Sequence, residues 1–458
     1  MRRLTYLFLW ASLSACQATY QASEPEILDD IPAQWANSSN NPSELLSIDD
    51  WYSAYLSSEQ SGNLTELIAQ ALAHNISIQK QALSVSAQEK ALNNAQAELW
   101  PSLSLDFSSS RQQGSSALSS SQSLDLSASY ELDIWGKLKS QEKVEAFTYL
   151  STQAELEKTK QSVVAQVITL YIQTIEAKQL YELFNERAKN SQQNLDIIDT
   201  GYKQGLNSAL DVYLARNELN SDLATVSQQL NLQQQLIRQL ENLIGFYPKG
   251  ALAFSGSIPY LNDSVYLGLP SQLTKHNPSL KLEWLELLAA NEQIAVAHKL
   301  RFPSAQINAS IGKASEDLSD LLSSDTVWSL VGSIVTPIFN AGKLKNNVEI
   351  AKLSAQQFEL DYLNELRATF LAVENALFQE KSLTERYEYQ REARANALAA
   401  QELSFEQYQK GLVTYTTVLE AQTRAVDAQS SLIQITSSLF TNRIELQVAL
   451  GSALHNLN

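Results

Sequence analysis

Cysteine, histidine, glycine and proline are all scarce in this chain of 458 residues. A single cysteine excludes a disulfide framework and any cysteine-cluster metal site. The four histidines form no pair with metal-ligand spacing, and we find no nucleophile–base pair or phosphate-binding loop, so we predict no enzymatic activity. The 14 glycines and 10 prolines are about half of the ordinary share, which argues against a turn-rich all-β chain.

Positive charge is also in short supply. Lysine and arginine number 33 against 50 aspartates and glutamates, for a net charge of −17. A nucleic acid is bound mainly through its phosphates by basic side chains, so we predict no nucleic-acid partner. The sequence consists mainly of long segments that few glycines or prolines interrupt.

The N-terminus carries an export signal. Residues 1–15 combine two arginines, an apolar run at 4–13 and small residues, which is typical of a secretory signal peptide. The apolar run is too short to be a spanning helix. Residues 13–16 match a bacterial lipobox, which would place a covalent lipid on Cys16; the alternative is ordinary cleavage, with Cys16 a bystander. Gln17, where an aspartate would signal inner-membrane retention, favours the outer membrane.

The chain repeats itself at two fixed offsets. Motifs 206 residues apart are Tyr202–Leu206 with Tyr408–Leu412 and Gly136–Lys139 with Gly342–Lys345, and motifs 202 apart are His74-Asn75 with His276-Asn277 and Trp100-Pro101 with Phe302-Pro303. Fixed offsets of this kind indicate duplication. We predict tandem units at 63–245 and 273–451 with a linker at 246–272. A lipid-anchored extended leader, 16–62, precedes them, and a tail, 452–458, follows.

Each unit is predicted to contain a helix, which spans residues 63–99 in the first unit, then two strands and a long helical hairpin. The strands fall at about 101–112, 122–135, 303–312 and 326–339, and apolar and polar residues alternate along them. This pattern is typical of transmembrane β-barrel segments, and the aromatic residues at the strand ends suit a membrane-interface girdle: Trp100, Trp135, Phe302 and Phe339. The alternative is a small soluble sheet with edge aromatics. Four strands are about half of the smallest barrel, so the membrane interpretation requires several chains.

The hairpins are predicted from uninterrupted heptad spacing. Residues 137–204 contain no proline, and apolar positions recur at alternating steps of four and three, which is the pattern of a coiled coil. The chain reverses at 201–208 and again at 408–414, where Gly205 and Gly411 can adopt the left-handed conformation that ends a helix. These ends are either simple turns or a docking surface or pore mouth.

The chain resembles the TolC-like outer membrane efflux family, in its lipoprotein branch. The segments that carry the resemblance are 64–75, 130–138, 202–206, 269–272, 337–342, 408–412 and 418–422. The resemblance implies an α+β membrane protein, a homotrimer whose 12-stranded transmembrane β-barrel (four strands per chain) continues as a coiled-coil helical tunnel in the periplasm of a Gram-negative bacterium. It also implies an exit duct that docks to a periplasmic adaptor protein and an inner-membrane transporter of the resistance–nodulation–division type, with no cofactor beyond the lipid.

The resemblance also assigns roles by position. The adaptor-docking tips would be Gly205, Leu206, Gly411 and Leu412, and the periplasmic mouth would be lined by Asp211, Tyr408 and Glu420. The gate arginine of the family would fall at Val413, so that ion pair is absent here. Copies of Glu420 around an axis would create a negative field favouring cations. Asp211 and Glu420 could instead be solvated helix residues, and the whole chain a lipid-anchored coiled-coil scaffold whose strands form a soluble collar.

Overall fold

A computed structural model describes residues 32, 34–36, 56–113, 118–261, 270, 273 and 277–451. The elements, in chain order, are α1 (Ser58–His74), α2 (Ile76–Ala97), β1 (Ser102–Gln113), β2 (Leu118–Leu132), α3 (Lys137–Lys203), α4 (Ala209–Leu243), α5 (Pro278–Lys299), β3 (Ser304–Ser315), β4 (Thr326–Val335), α6 (Lys343–Gln409) and α7 (Tyr415–Ala449). A short 3₁₀ helix, Leu318–Asp320, lies between β3 and β4. The predicted four strands and long helices are confirmed.

The four strands form one antiparallel sheet in the order β1-β2-β3-β4. Ser102 lies opposite Ser129, Ala128 opposite Ala309, and Ser304 opposite Val335. The middle pairing therefore joins the second strand of the first half of the chain to the first strand of the second half.

The predicted single helix over 63–99 is wrong in two respects. It begins earlier, at Ser58, because Ser57 and Gln60 form a reciprocal capping box. The leader predicted to extend to residue 62 therefore ends inside a helix. The chain also breaks at Asn75, whose side-chain oxygen accepts hydrogen bonds from the backbone N–H groups of Ser77 (2.9 Å) and Ile78 (3.2 Å) and so caps a second helix.

Strand boundaries differ from the predictions as well. β2 begins at Leu118 rather than about 122, because the serine-rich stretch pairs fully with the end of β1. It ends at Leu132 rather than 135, since the Asp133 carboxylate accepts backbone N–H groups of the first turn of α3. β4 ends at Val335 rather than 339, just before Pro337, which has no N–H to donate.

The described chain divides into two compact units. Of the described residues, those within 83–155 and 279–365, including the sheet, form one unit, and those within 32–82, 156–278 and 366–451 form the other. In the second unit, α1, α3, α4 and α7 share a buried apolar core that includes Ile68, Ile172, Leu240 and Phe440. Trp35 of the leader is buried in the same unit, outside this core, edge-on against Phe370 with ring centroids 5.9 Å apart.

Candidate functional site

The sheet has one apolar face and one polar face. Alternation along the paired strands places these residues on the apolar face: Leu103, Leu105, Phe107, Leu124, Leu126, Ala128, Tyr130, Leu132, Ala305, Ile307, Ala309, Ile311, Trp328, Leu330 and Ile334. From Leu124 to Leu132 this band extends about 27 Å along the strand. That length is comparable to the apolar band of about 25 Å around transmembrane barrels.

Serine dominates the opposite face. Hydroxyl pairs bridge neighbouring strands at Ser104–Ser127 (2.8 Å), Ser108–Ser123 (2.9 Å) and Ser310–Ser329 (2.8 Å). Asp106 and Asp125 lie opposite each other on this face. It is therefore hydrophilic, as the wall of an aqueous pore is.

Within the described residues, this chain leaves the sheet uncovered. Every residue of β1 and all but one of β4 are exposed, including Leu103 at 69% and Leu330 at 66%. β1 and β4 are also the two edge strands, so among the described strands each has a hydrogen-bonded neighbour on one side only. An exposed apolar face between two open edges is an aggregation hazard in water, and surfaces of this kind mark sites of contact with lipid or with other protein.

The four predicted interface aromatics lie at the helix-proximal end of the strands, but they differ in exposure. Trp100 and Phe339 are strongly exposed. Trp135 instead stacks on Phe302 with ring centroids 5.1 Å apart, and its indole N–H donates to the Pro303 carbonyl at 2.7 Å. Trp135 and Phe302 thus fasten the two strand–helix junctions to each other.

Both hairpin ends use the same helix-ending geometry. Gly205 has φ +79° and Gly411 has φ +72°, and each is followed by a leucine whose N–H donates back into the last turn. Leu206 donates to the Gly201 carbonyl at 2.8 Å and Leu412 to the Gln407 carbonyl at 2.9 Å. This is the Schellman motif, which favours glycine at these positions. It projects Leu206 (77% exposed) and Leu412 (70% exposed) into solvent.

Asp211 has a local structural role that the sequence analysis did not foresee. Its carboxylate accepts the Ser208 N–H at 3.2 Å, and the Ser208 hydroxyl accepts the Asp211 N–H at 3.2 Å. This capping box begins α4 immediately after the turn. A carboxylate at the start of a helix is also stabilised by the helix dipole.

Tyr408 lies against hairpin elements from both halves of the chain. Its ring is 5.4 Å from that of Tyr415, and both belong to an apolar cluster with Ile198, Val212 and Val418. Burial and the nearby Asp211 carboxylate raise the pKa of Tyr408. The structure therefore brings Asp211 and Tyr408 together. The Tyr408 hydroxyl is buried and has no hydrogen-bond partner among the described residues.

Glu420 is not a member of the apolar cluster around Tyr408. Its side chain is exposed on the second turn of α7. Val413 is half-buried in the turn before that helix, where the family's gate arginine would fall. The apolar cluster around Tyr408 and Tyr415 joins the two hairpin ends of one chain, and it needs no arginine to do so.

Sequence reasoning missed an ionic cluster in the first hairpin, in which Asp222 is buried and its charged partners are half-buried. The Arg187 guanidinium on α3 contacts Asp222 on α4 at 2.7 Å and also pairs with Glu218. The Ser191 hydroxyl donates to Asp222 at 2.6 Å, and burial raises the pKa of the Asp222 carboxyl. One signal was available in the sequence. Arg187 and Ser191 are four residues apart on α3, Glu218 and Asp222 are four residues apart on α4, and the two pairs lie at nearly equal distances along the chain from Gly205.

No described helix combines the length and apolar character of a membrane span. The described residues also hold no group of three or more histidine, cysteine or acidic side chains that could bind a metal ion. Cys16, the predicted lipidation site, and the linker residues 262–269 lie outside the described residues.

Comparison with known proteins gives concordant results. The family model of outer membrane efflux proteins matches residues 67–246 and 269–452. The cation efflux system protein CusC of Escherichia coli is 29% identical over 391 residues, covering 84% of this chain and 85% of that protein. The toluene efflux pump outer membrane protein TtgF of Pseudomonas putida is 28% identical over 407 residues, covering 86% of this chain and 84% of that protein.

Solved structures agree with the fold. A crystal structure of CusC superimposes with a TM-score of 0.83 at 25% identity, covering 96% of this chain and 100% of the other. The open state of the MtrE outer membrane channel of Neisseria gonorrhoeae gives a TM-score of 0.84 at 23% identity, covering 95% of this chain and 98% of the other.

Proposed function

The chain belongs to the outer membrane efflux protein family, and from this premise we propose that it is the exit duct of a tripartite efflux system. The duct passively conducts drugs or other small solutes across the outer membrane. It is a homotrimer of tandem-repeat chains. Its barrel has 12 strands, four from each chain, and the long helices continue it as a tunnel into the periplasm.

The observation that carries this proposal is the uncovered amphipathic sheet. Its apolar face, including Leu105, Trp328 and Leu330, is exposed, and its other face is lined with serine. In lipid every backbone group needs a partner, so the open edges at β1 and β4 require strands from further copies. A closed ring of such sheets pairs every strand edge, and it turns the apolar faces toward lipid on the outside and the serine-lined faces toward water on the inside.

The lipid on Cys16 supplements this barrel. One lipid modification helps to hold a protein at a membrane but does not span it. The scaffold alternative depends entirely on that lipid for membrane attachment, whereas a barrel does not. Trp35 of the leader is buried against the helices, which anchors the leader to the folded body of the chain between the lipid site and Ser58.

The partners follow from the hairpin ends. Leu206 and Leu412 are exposed beside Gly205 and Gly411, which suits apolar contacts with a periplasmic adaptor protein. The adaptor in turn connects the duct to an inner-membrane transporter of the resistance–nodulation–division type. Glu420, exposed near the start of α7, gives the mouth a negative field when several copies surround an axis, so the mouth favours cations over anions.

The test combines anchoring with conductance. A Cys16→Ser protein, given a conventional cleavage site, should remain in membranes washed with carbonate and should form channels in planar bilayers. Release by carbonate together with absent conductance would support the scaffold instead. Glu420→Gln should reduce the cation preference of the current, and an anion-selective current unchanged by this substitution would remove the proposed role of Glu420.

A further inference from the structure

In the unit that contains the sheet, α5 of the second half of the chain packs on α3 of the first half. Leu285 of α5 packs with Phe147 and Ala154 of α3. Lys143 of α3 pairs with Glu292 of α5 at 3.2 Å. An apolar contact and an ion pair thus fix α5 of the second half against α3 of the first half.

The two halves correspond residue by residue in this unit. Adding 202 to the β1 number and 206 to the β2 number converts the pair Ser102–Ser129 into Ser304–Val335, which is a pair that β3 and β4 make. The outgoing helices α3 and α6 both have 67 residues, and the returning helices α4 and α7 both have 35. Because α2 corresponds to α5 and α6 corresponds to α3, the same offsets predict which residues of α2 and α6 would form the equivalent of the α5–α3 contact.

Within one chain that corresponding contact is not made. Leu83 of α2 corresponds to Leu285, and Leu353 and Leu360 of α6 correspond to Phe147 and Ala154. Leu285 and Ala154 are buried, at 8% and 3% exposure. Leu83, Leu353 and Leu360 are 71%, 60% and 64% exposed. The described chain therefore leaves both halves of a second helix contact open.

The ion pair has a counterpart with reversed signs. Lys143 corresponds to Glu349 on α6, and Glu292 corresponds to Lys90 on α2. Among the described residues each has a local partner: Glu349 pairs with Lys352 (3.0 Å) one turn away, and Lys90 with the adjacent Glu89 (3.3 Å). Each of the two positions carries the opposite charge to its counterpart in the other half, so Glu349 and Lys90 remain complementary to each other.

We propose that α2 of one copy packs on α6 of the neighbouring copy and repeats the α5–α3 contact between chains. Leu83 fits against Leu353 and Leu360 of the neighbour, and Lys90 pairs with Glu349 of the neighbour. The occupant of this surface is a second copy of the same chain, because the chain itself carries both complementary halves. The inference rests on the proposed multi-chain duct and adds the residues that close its ring.

The same conversion of residue numbers by the two offsets predicts how β4 of one copy pairs with β1 of the next. Ala128 of β2 lies opposite Ala309 of β3. Applying the two offsets places Ile334 of β4 opposite Phe107 of β1 in the neighbouring copy. Ile334 is 74% exposed and Phe107 57% exposed, and both lie on the apolar face. This register continues the apolar band across the junction between chains, whereas a shift by one residue would turn the neighbour's apolar face inward.

Cysteine pairs test the contact directly. Leu83→Cys combined with Leu353→Cys should form disulfides between chains, visible as dimer and closed-trimer bands on a non-reducing gel of membranes. The matched control, Phe147→Cys with Leu285→Cys, should give an internally bridged single chain. Leu83→Cys alone should give no ladder. A protein that runs as an intact conducting trimer but yields only single chains with the first pair would overturn the interface and leave the proposed function standing.

Charge reversal supplies an independent readout. Lys90→Glu and Glu349→Lys should each lower the yield of assembled trimer about two- to fivefold, which is the range expected of an exposed ion pair. The double variant should recover it. Single variants that lose yield without recovery in the double variant would contradict the pairing. Absence of any oligomer in the unmodified protein would defeat the proposed function and this interface together.

Discussion

The exposed face of the sheet yields a prediction with a large expected effect. Leu330 lies in the middle of the apolar band, 66% exposed and opposite Ala309. If this face contacts lipid, Leu330→Arg places a charge near the bilayer midplane and costs about 2–4 kcal/mol. That corresponds to an unfolding equilibrium constant about 30- to 1,000-fold larger. If the sheet is a soluble collar, an exposed leucine replaced by arginine should cost no more than about 0.5 kcal/mol.

The neighbouring residue provides the control. Ser329→Arg adds the same charge one residue away, on the polar face, and loses only an exposed hydroxyl contact with Ser310. We expect it to cost well under about 1 kcal/mol. The measurement is urea unfolding of protein reconstituted in phosphatidylcholine vesicles, followed by tryptophan fluorescence. Equal shifts of the unfolding midpoint for Leu330→Arg and Ser329→Arg would refute the assignment of the two faces.

Three further predictions concern the helices. Arg187→Met leaves the buried Asp222 and the half-buried Glu218 without their cation, so we expect a cost of about 3 kcal/mol, at the lower end for a broken buried ion pair. The loss should appear as faster amide hydrogen exchange over residues 187–222, with recovery when Glu218→Gln and Asp222→Leu are added. Asn75→Ala removes two cap bonds and a 2.8 Å bond to the Leu243 carbonyl, so it should cost about 1–3 kcal/mol by thermal melting, whereas exposed His74→Ala should cost little. Burial, with Glu59 nearby, raises the pKa of Tyr171 to about 12. Its neutral phenol therefore stabilises the fold fully below pH 10, and this contribution is lost as the pH rises through about 12. Tyr171→Phe should flatten that pH dependence of the unfolding free energy, and an unchanged loss of stability between pH 10 and 12 in the variant would contradict this explanation.

The regular elements were readable from the sequence because each depends on a local period. Alternation marked the strands, and heptad spacing marked helices that proved to be 67 and 35 residues long. The start of β2 was misjudged because serine carries no hydrophobic signal, although its backbone pairs as well as that of leucine. The break at Asn75 was missed for a related reason, since an asparagine inside a helical pattern can either continue the helix or cap a new one.

Tertiary partners were the least readable part of the site. The sequence placed Asp211 and Tyr408 near one another only through the family resemblance, and it did not show that Asp211 caps α4. The contact between Trp135 and Phe302 links residues from different halves, so no local pattern reveals it. The cluster around Arg187 is a similar case, because two helices must already be in register before its members can meet.

The equal lengths of the paired helices constrain how this protein can evolve. An insertion of seven residues into α3 alone would lengthen that helix by about 10.5 Å and move its turn away from Tyr415 and Val418, with which Ile198 and Val212 now pack. A matching insertion would be needed in α4, and again in α6 and α7. Length changes should therefore survive only as coordinated sets of whole heptads, and a longer duct could be engineered only by extending all four helices together.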